Sequence, residues 1–338
     1  MGTPDFSVPT LQKLIANERF SISAVITAPD AKVGRKQIMT PPPVKVVAKK
    51  HNIPVLQPKK LSSNKNVGTG QYPVPTEEIK NLKPDAIIVI AYGQLIPKKI
   101  LDIPKYGCLN LHASLLPKYR GASPIQSAIA NGDKETGITL MKIDEGMDTG
   151  DIIAQEKIEI IQSACPACTG GDTGESLHDK LSELSAEVIE KHLVNYLEGK
   201  LKPMPQNNAQ ATTASKLTRE NGRIDWNKSA EKIERMVRAY YPWPGTHTHL
   251  RQGYDGQAKW NGKTLKIIKT DIISENKHNV GEIFLHPPRL GEAGENQLAV
   301  KCGQDALLIK QLQLEGKKII TSKEFLAGHG DIVGNILK

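Results

Sequence analysis

The first two hundred residues alternate short apolar runs with helical patterns. Ile22–Thr27, Asp85–Ala91 and Cys108–His112 are rich in β-branched or aliphatic residues and show no regular polar alternation. Such runs are typical of parallel strands that helices cover on both faces of a sheet. Between them, Pro43–His51 and Thr76–Leu82 have the apolar spacing of helices. The alternation predicts an α/β fold over residues 1–200, with a doubly wound, mainly parallel, Rossmann-like sheet.

The remainder of the chain has a different pattern. Residues 201–212 are polar, contain proline and show no period, so we interpret them as a linker. Residues 213–338 begin with a predicted helix at Ala230–Tyr240. Short alternating segments follow at Thr264–Ile268, Gly281–Leu285, Gln297–Val300 and Ala306–Leu314. This pattern predicts a smaller C-terminal domain with an OB-like β-barrel.

Composition narrows the class of protein. The chain of 338 residues is 38% hydrophobic and has no apolar run long enough to cross a bilayer. Its start, Met1–Phe6, lacks the basic and apolar regions of a secretion signal, and its four cysteines are too scattered for a disulfide framework. These features predict a cytoplasmic protein. The net charge of +9 favours a polyanionic partner without identifying one.

Candidate chemistry is concentrated at the end of the third predicted strand. Asn110 and His112 are two residues apart, and positions i and i+2 of a strand project from the same face. Open α/β sheets bind ligands at the carboxyl ends of their strands. An amide can stabilise a developing oxyanion, and an imidazole can transfer a proton. The pair is a candidate for acyl-group transfer, although an isolated Asn-x-His more often only satisfies backbone groups.

A second candidate is the acidic, glycine-containing loop at 144–151, between the predicted strands Ile138–Ile143 and Ile152–Ile158. A carboxylate on such a loop, here Asp148, could orient His112 and receive a proton through water. Alone, the loop would be an ordinary solvated turn, and it lacks the ligand spacing of a calcium loop. Asn110, His112 and Asp148 together predict a catalytic site built from three strand ends.

Other motifs are weaker. The sequence contains no G-x-G-x-x-G, so a dinucleotide is not indicated. Cys165 and Cys168 have the spacing of half a zinc site, but no second pair occurs at metal spacing. We therefore expect no metal.

Two longer runs carry a resemblance to a known family. NLHASLLPKYRGASPIQ at 110–126 and ETGITLMKIDEGMDTGDI at 135–152 resemble the formyltransferases that use 10-formyltetrahydrofolate. The resemblance covers nearly the whole chain. It includes SKLTRENGRIDW at 215–226, which is similar to the branch that formylates methionyl-initiator-tRNA for translation initiation. It implies an enzyme that moves a formyl group from 10-formyltetrahydrofolate to the free amino group of that tRNA, without a metal.

The resemblance also implies roles for individual residues. Asn110, His112 and Asp148 match the family's catalytic trio. The residues implied to bind folate or to shape its site are Ala91, Tyr92, Gly93, Ile96, Pro97, Ser114, Leu115, Leu116, Pro117, Ile143, Gly146 and Met147. Lys32, Arg35 and Lys36 match a mobile loop that contacts tRNA, and the domain at 213–338 is implied to bind tRNA as well. The family leads us to expect a monomer.

Several alternatives stay open at this point. A sugar-nucleotide formyltransferase of the UDP-amino-arabinose type shares the Asn-x-His pair and the SLLPKYRG run, but Pro124–Gln126, Met147–Asp151 and the 215–226 segment fit the tRNA branch better. A folate-dependent hydrolase is a third possibility, and a folate-binding nucleic-acid module without activity is a fourth. The complete trio favours an active enzyme. The family normally has a hydrophobic strand directly before GTPDF, so the resemblance implies that this first strand is missing here.

Overall fold

Each of the two structural units is assembled from three separate stretches of the chain. The computed structural model describes residues 1–34, 36–61, 76–162, 170–249, 263–287 and 296–337. Unit 1 comprises Met1–Pro124, Glu135–Glu159 and His178–Ala214. Unit 2 comprises Ile125–Lys134, Ile160–Leu177 and Ser215–Lys338.

Unit 1 contains a sheet with parallel and antiparallel parts. Strand β1 (Val25–Ile26) pairs in parallel with β4 (Val55–Leu56), and β5 (Ile87–Val89) pairs in parallel with β6 (Cys108–His112). The sheet continues from β6 through the antiparallel strands β8 (Glu135–Lys142) and β9 (Ile152–Glu159). The predicted Rossmann-like domain is therefore present, with an antiparallel edge. The nine residues between β8 and β9 suffice for an antiparallel turn, whereas a parallel crossover needs about a dozen or more.

The first two residues join the parallel pairs. The Gly2 N–H donates to the Ile26 carbonyl at 3.0 Å, and the Ile90 N–H donates to the Met1 carbonyl at 2.9 Å. The Met1 amino group donates to the Ile88 carbonyl at 2.5 Å, and burial lowers its pKa to about 6. A cavity of about 650 Å³ lies beside Met1, lined largely by apolar residues that include members of β1 and β5. Met1 and Gly2 thus link β1 to β5 near the carboxyl ends of those strands.

The helices of unit 1 follow the predicted apolar spacing. Pro43 begins α2 (Pro43–Lys50), and the inward positions Val44 and Ala48 pack with Val25 of β1. The other helices assigned wholly or mainly to this unit are α1 (Val8–Ala16), α3 (Thr76–Asn81), α4 (Lys98–Leu101) and α6 (Gly174–Leu197). Its remaining strands are β2 (Ala31–Val33), β3 (Ile38–Thr40), β7 (Arg120–Gly121) and β10 (Thr213–Ala214). Within the described ranges, every helix of the chain is too short or too polar to cross a membrane.

Unit 2 contains a mostly antiparallel sheet in the order β11-β12-β15-β14-β13, with β16 paired to β15. The strands are β11 (Thr246–His249), β12 (Thr264–Ile273), β13 (Ile283–His286), β14 (Gln297–Lys301), β15 (Ala306–Leu314) and β16 (Ile320–Thr321). The helices are α5 (Pro124–Asn131), α7 (Ala230–Ala239) and α8 (Ser322–His329). Among the described residues β11 and β13 are edge strands that do not pair with each other, so the predicted barrel closure is not observed there.

A buried ion pair fixes α7 within unit 2. The Arg238 guanidinium lies 2.6 Å from the Glu234 carboxylate, and the two side chains are only 9% and 4% exposed. Arg238 also donates to the Asp172 carbonyl at 2.7 Å. The Asp172 carboxylate in turn accepts the Ile161 N–H at 2.8 Å. The pair therefore ties α7 to the 160–177 segment of the same unit.

We expect Glu234→Ala to destabilise unit 2 by about 3–5 kcal/mol, because it leaves the buried Arg238 without its counter-charge. Glu231→Ala is the matched control on the same helix. Its carboxylate also pairs with an arginine four residues on, but it is 67% exposed, so the cost should be about 0.5 kcal/mol or less. Urea unfolding monitored by tryptophan fluorescence measures both, since all three tryptophans lie after residue 215. Equal shifts for the two variants would contradict the prediction.

Candidate active site

Strand β6 presents Asn110 and His112 together. Leu109 and Leu111 alternate with them and are buried, which leaves the two polar side chains on the other face. Asn110 is in register with Met141 of β8, and His112 with Thr139. The Asn110 side chain forms no hydrogen bond with any described residue, so its amide is available to a ligand.

The orientation of the His112 ring is fixed by a backbone carbonyl. His112 Nε2 lies 2.9 Å from the Tyr119 carbonyl oxygen, and the side chain is 6% exposed. Because a carbonyl oxygen only accepts hydrogen bonds, Nε2 must carry the hydrogen. The other nitrogen, Nδ1, faces the Asp148 carboxylate at 3.6 Å. This separation is slightly longer than a direct hydrogen bond.

Asp148 reaches His112 from the loop between β8 and β9. Its backbone has φ +54°, in the left-handed region that aspartate tolerates better than most residues. The Gly121 N–H donates to its Oδ2 at 2.8 Å, and this is the same oxygen that faces His112. Within the loop, Asp144 accepts hydrogen bonds from the Gly146 N–H and the Thr149 hydroxyl. The carboxylate is thus aimed at the imidazole by hydrogen bonds on the backbone and in the loop.

A buried threonine holds the segment that follows His112. The Thr139 hydroxyl donates to the Ser114 carbonyl at 2.6 Å and accepts the Leu116 N–H at 3.1 Å. The Gln155 amide donates to the same hydroxyl and to the Leu116 carbonyl. The Leu116–Pro117 peptide is cis. These contacts set the path of residues 114–117 beside the strand end.

The turn after β5 lies at the same end of the sheet as His112. Ala91 and Gly93 have positive φ, and Tyr92 between them is buried. Ile96 and Ile143 pack against the hydrophobic cluster that contains Tyr92. The Tyr92 hydroxyl has no hydrogen-bond partner among the described residues, and burial raises its pKa to about 12. The turn and the Asp148 loop therefore share an apolar cluster, topped by a neutral phenol.

The comparison with family profiles accounts for both parts of the chain. The formyl transferase profile matches residues 1–193, and the profile of the formyl transferase C-terminal domain matches residues 216–330. The chain belongs to the formyltransferase family.

Relatives with known names agree with this membership. Methionyl-tRNA formyltransferase of Geobacter sulfurreducens is 43% identical over 329 residues, which cover 97% of this chain and 92% of the relative. The enzyme of the same name from Caldanaerobacter subterraneus subsp. tengcongensis is 41% identical over 338 residues, covering 100% of this chain and 98% of the relative.

Solved structures share the fold at lower identity. WlaRD, a sugar 3N-formyl transferase, superposes with a TM-score of 0.59 at 20% identity, covering 94% of this chain and 97% of that one. HypX from Aquifex aeolicus gives a TM-score of 0.57 at 18% identity, covering 93% of this chain. The chain spans 48% of the length of HypX.

The predicted site residues are distributed in three ways. Asn110, His112 and Asp148 come from β6 and the β8–β9 loop. Of the residues that the resemblance assigns to folate, Met147 is 62% exposed, whereas Ser114 and Leu116 are buried. Lys32 and Lys36 are exposed on or beside the β2–β3 hairpin. Arg35, Cys165, Cys168 and the segment 62–75 lie outside the described residues.

Sequence reasoning missed the residues that hold the trio from behind. Thr139 and Gln155 fix the segment after His112, and Arg120 and Gln206 contact the Asp148 loop or each other. Arg120 lies within the recognised run, but its partner is 86 residues away. A pattern confined to neighbouring residues carries no signal for such a contact.

We expect Gly150→Ala to displace the Asp148 loop. A Cβ at Gly150 would overlap the Lys142 carbonyl oxygen, which belongs to the end of β8 and cannot move freely. Misplacing a catalytic group by about 1 Å can lower turnover by about 10²-fold, so we expect a loss of that order in kcat. Gly328→Ala, in α8, is the control because nothing lies within 4 Å of its added Cβ. Wild-type turnover in Gly150→Ala, measured by steady-state kinetics, would disprove the constraint.

Proposed function

We propose that this enzyme transfers the formyl group of 10-formyltetrahydrofolate to the α-amino group of methionyl-initiator-tRNA, and that Asn110, His112 and Asp148 carry the reaction. The observation that carries the proposal is the arrangement at the end of β6. His112 Nδ1 faces Asp148 at 3.6 Å while Nε2 is fixed by the Tyr119 carbonyl. The names of the relatives at 41–43% identity support the tRNA acceptor.

The first step forms a tetrahedral centre. The free amine attacks the formyl carbon, and the carbonyl electron pair moves onto the formyl oxygen. The Asn110 amide can donate a hydrogen bond to that oxygen, and its lack of a protein partner among the described residues leaves it ready to do so. His112 supplies the second polar group at the same strand end. Stabilisation of the oxyanion lowers the barrier to attack.

The second step moves a proton and breaks a bond. The attacking nitrogen becomes positively charged and must lose a proton, while N10 of the folate must gain one as its bond to the formyl carbon breaks. A water molecule between Nδ1 and Asp148 would fit the 3.6 Å separation and could relay that proton. The products are formyl-methionyl-tRNA and tetrahydrofolate, and the enzyme ends the cycle unchanged.

The folate site is proposed at the same end of the sheet. Backbone groups of the turn Ala91–Gly93 and of the Asp148 loop line it, together with Ile96, Pro97 and the 114–117 segment. The shared apolar cluster under Tyr92 and Ile143 supports this placement, because a pterin ring needs an apolar wall with a few polar contacts.

One experiment tests the acceptor. The protein is incubated with 10-formyltetrahydrofolate and, in separate reactions, methionyl-initiator-tRNA, UDP-amino-arabinose or water alone. We expect formyl transfer to the tRNA, detected as formyl-methionine after hydrolysis of the ester bond. Transfer only to the sugar nucleotide would replace our proposal with the sugar-nucleotide alternative. Release of formate without an acceptor would identify a hydrolase.

We expect Asp148→Asn to lower kcat by about 10²–10⁴-fold, the usual contribution of acid–base catalysis, while folate binding is kept. The amide preserves the size of the side chain and an oxygen for the Gly121 N–H, but it removes the negative charge. Single-turnover kinetics and binding of 5-formyltetrahydrofolate measure the two properties separately. Glu145→Gln, an exposed change in the same loop, serves as control. Near-wild-type turnover in Asp148→Asn would remove this role.

The β2–β3 hairpin is the proposed contact to the tRNA. Its base is fixed by Lys45, whose ammonium lies 2.6 Å from Asp30 Oδ1 and 2.7 Å from Gln57 Oε1. Hydrogen bonding to Lys45 holds the pKa of Asp30 below its usual range. Lys32 and Lys36 are exposed beyond this anchor, where they can reach phosphate groups. Residues 213–338 are the second proposed tRNA-binding region, with an OB-like arrangement as a further part of the proposal. A tRNA substrate would also place the enzyme in the cytoplasm.

We expect the KM for tRNA to rise with salt, because phosphate contacts release counterions. Lys32→Ala should reduce the slope of log KM against log salt by about one. Lys13→Ala is the matched control, since this exposed lysine on α1 pairs with Glu190. Kinetics between low and physiological salt measure both slopes. A KM that does not depend on salt would exclude phosphate contacts as a source of affinity.

A further inference from the structure

Gln206 lies in the segment that the sequence presents as a linker, but its side chain reaches the Asp148 loop. The Gln206 amide nitrogen donates to the Asp148 carbonyl at 2.9 Å and to the Gly150 carbonyl at 2.7 Å. Both of its N–H groups are therefore used on the backbone on either side of Thr149. Gln206 is 9% exposed, so these bonds are shielded from water.

Arg120 fixes which way round the Gln206 amide lies. The Arg120 Nε and Nη2 atoms lie 3.1 Å and 2.7 Å from Gln206 Oε1. A guanidinium only donates and a backbone carbonyl only accepts, so the amide oxygen must face Arg120 and the amide nitrogen must face the loop. Arg120 also donates to Asn208 Oδ1 at 2.7 Å. The amide is thus held at both ends.

The backbone around Gln206 is anchored without help from its side chain. Met204 and Ile152 exchange two backbone hydrogen bonds of 2.8 Å at the start of β9. Further along, Thr213 and Ala214 form β10, which pairs with β7. A substitution at Gln206 can therefore remove the side-chain bonds while this segment keeps its place.

We propose that Gln206 is a positioning residue that keeps the Asp148 carboxylate directed at His112. The ψ angle of Asp148 sets the direction of its carbonyl, so the bond from Gln206 restrains the left-handed backbone at this residue. The second bond, to Gly150, restrains the peptide that ends the turn. The inference rests on the proposed role of Asp148, and it adds a residue from outside the catalytic loop.

Two substitutions separate the parts of this arrangement. Gln206→Met keeps the length and approximate volume of the side chain but removes every hydrogen bond. Gln206→Glu keeps acceptors for Arg120 but cannot donate to the two carbonyl oxygens. We expect both variants to lose about 10–100-fold in kcat, with the KM for 10-formyltetrahydrofolate changed less than about twofold. Gln210→Met, at an exposed site in the same segment, should keep wild-type kinetics.

A double-mutant cycle distinguishes positioning from a general loss of structure. If Gln206 acts through Asp148, adding Gln206→Met to Asp148→Asn should lower kcat no further. An additional loss as large as that of Gln206→Met alone would overturn the proposal. So would wild-type kcat in both single variants, or wild-type kcat in Gln206→Glu alone, which would assign the effect to the Arg120 contact.

Melting temperatures and binding of 5-formyltetrahydrofolate are measured for each variant. If Gln206→Met does not fold, Gln206→Glu and its cycle with Asp148→Asn decide the question. Failure of the proposed function has a separate signature. A wild-type protein that formylates no tRNA refutes that function before any variant is compared, whereas an active wild type with unaffected Gln206 variants refutes only the positioning role.

Discussion

The site depends on hydrogen bonds made by a segment of three residues, Tyr119–Gly121. Its first carbonyl accepts the His112 Nε2 hydrogen, and its last N–H donates to Asp148. Two groups that arrive from different parts of the chain are therefore aligned by one short piece of backbone. The segment is itself fixed by β10, because the Tyr119 N–H donates to the Thr212 hydroxyl and the Arg120 N–H to the Thr212 carbonyl. Backbone groups make a rigid reference because they have few ways to move.

Around this segment, the structure satisfies buried polar groups with partners that also shape the site. Thr139 uses one hydroxyl to hold the backbone on both sides of Leu115, and Gln206 uses one amide to hold both sides of Thr149. Each such group would be costly to bury without partners. The same bonds that remove this cost fix the loops next to His112. Stability and positioning of the reacting groups thus have a common physical origin in unit 1.

Much of the fold could be predicted from the chain because local patterns report burial. The strands and helices of residues 1–200 appear where the apolar spacing placed them, and membership of the formyltransferase family is confirmed. The direction of β8 and β9 was less accessible, since an apolar strand reads the same in either direction. Closure of the second sheet into a barrel was expected but is not seen among the described strands. Pairing between distant strands depends on register, which composition does not encode.

By itself, the sequence determined that Asn110 and His112 share one face of a strand, because the two-residue period of β structure requires it. It also determined, through long runs of matching residues, the family and the reaction class. Only the tertiary structure decided which nitrogen of His112 faces Asp148, since that choice follows from a carbonyl seven residues further along the chain. It alone brought Gln206 to the Asp148 loop, 58 residues away. Contacts over such separations arise from packing, and packing is settled only when the whole unit has folded.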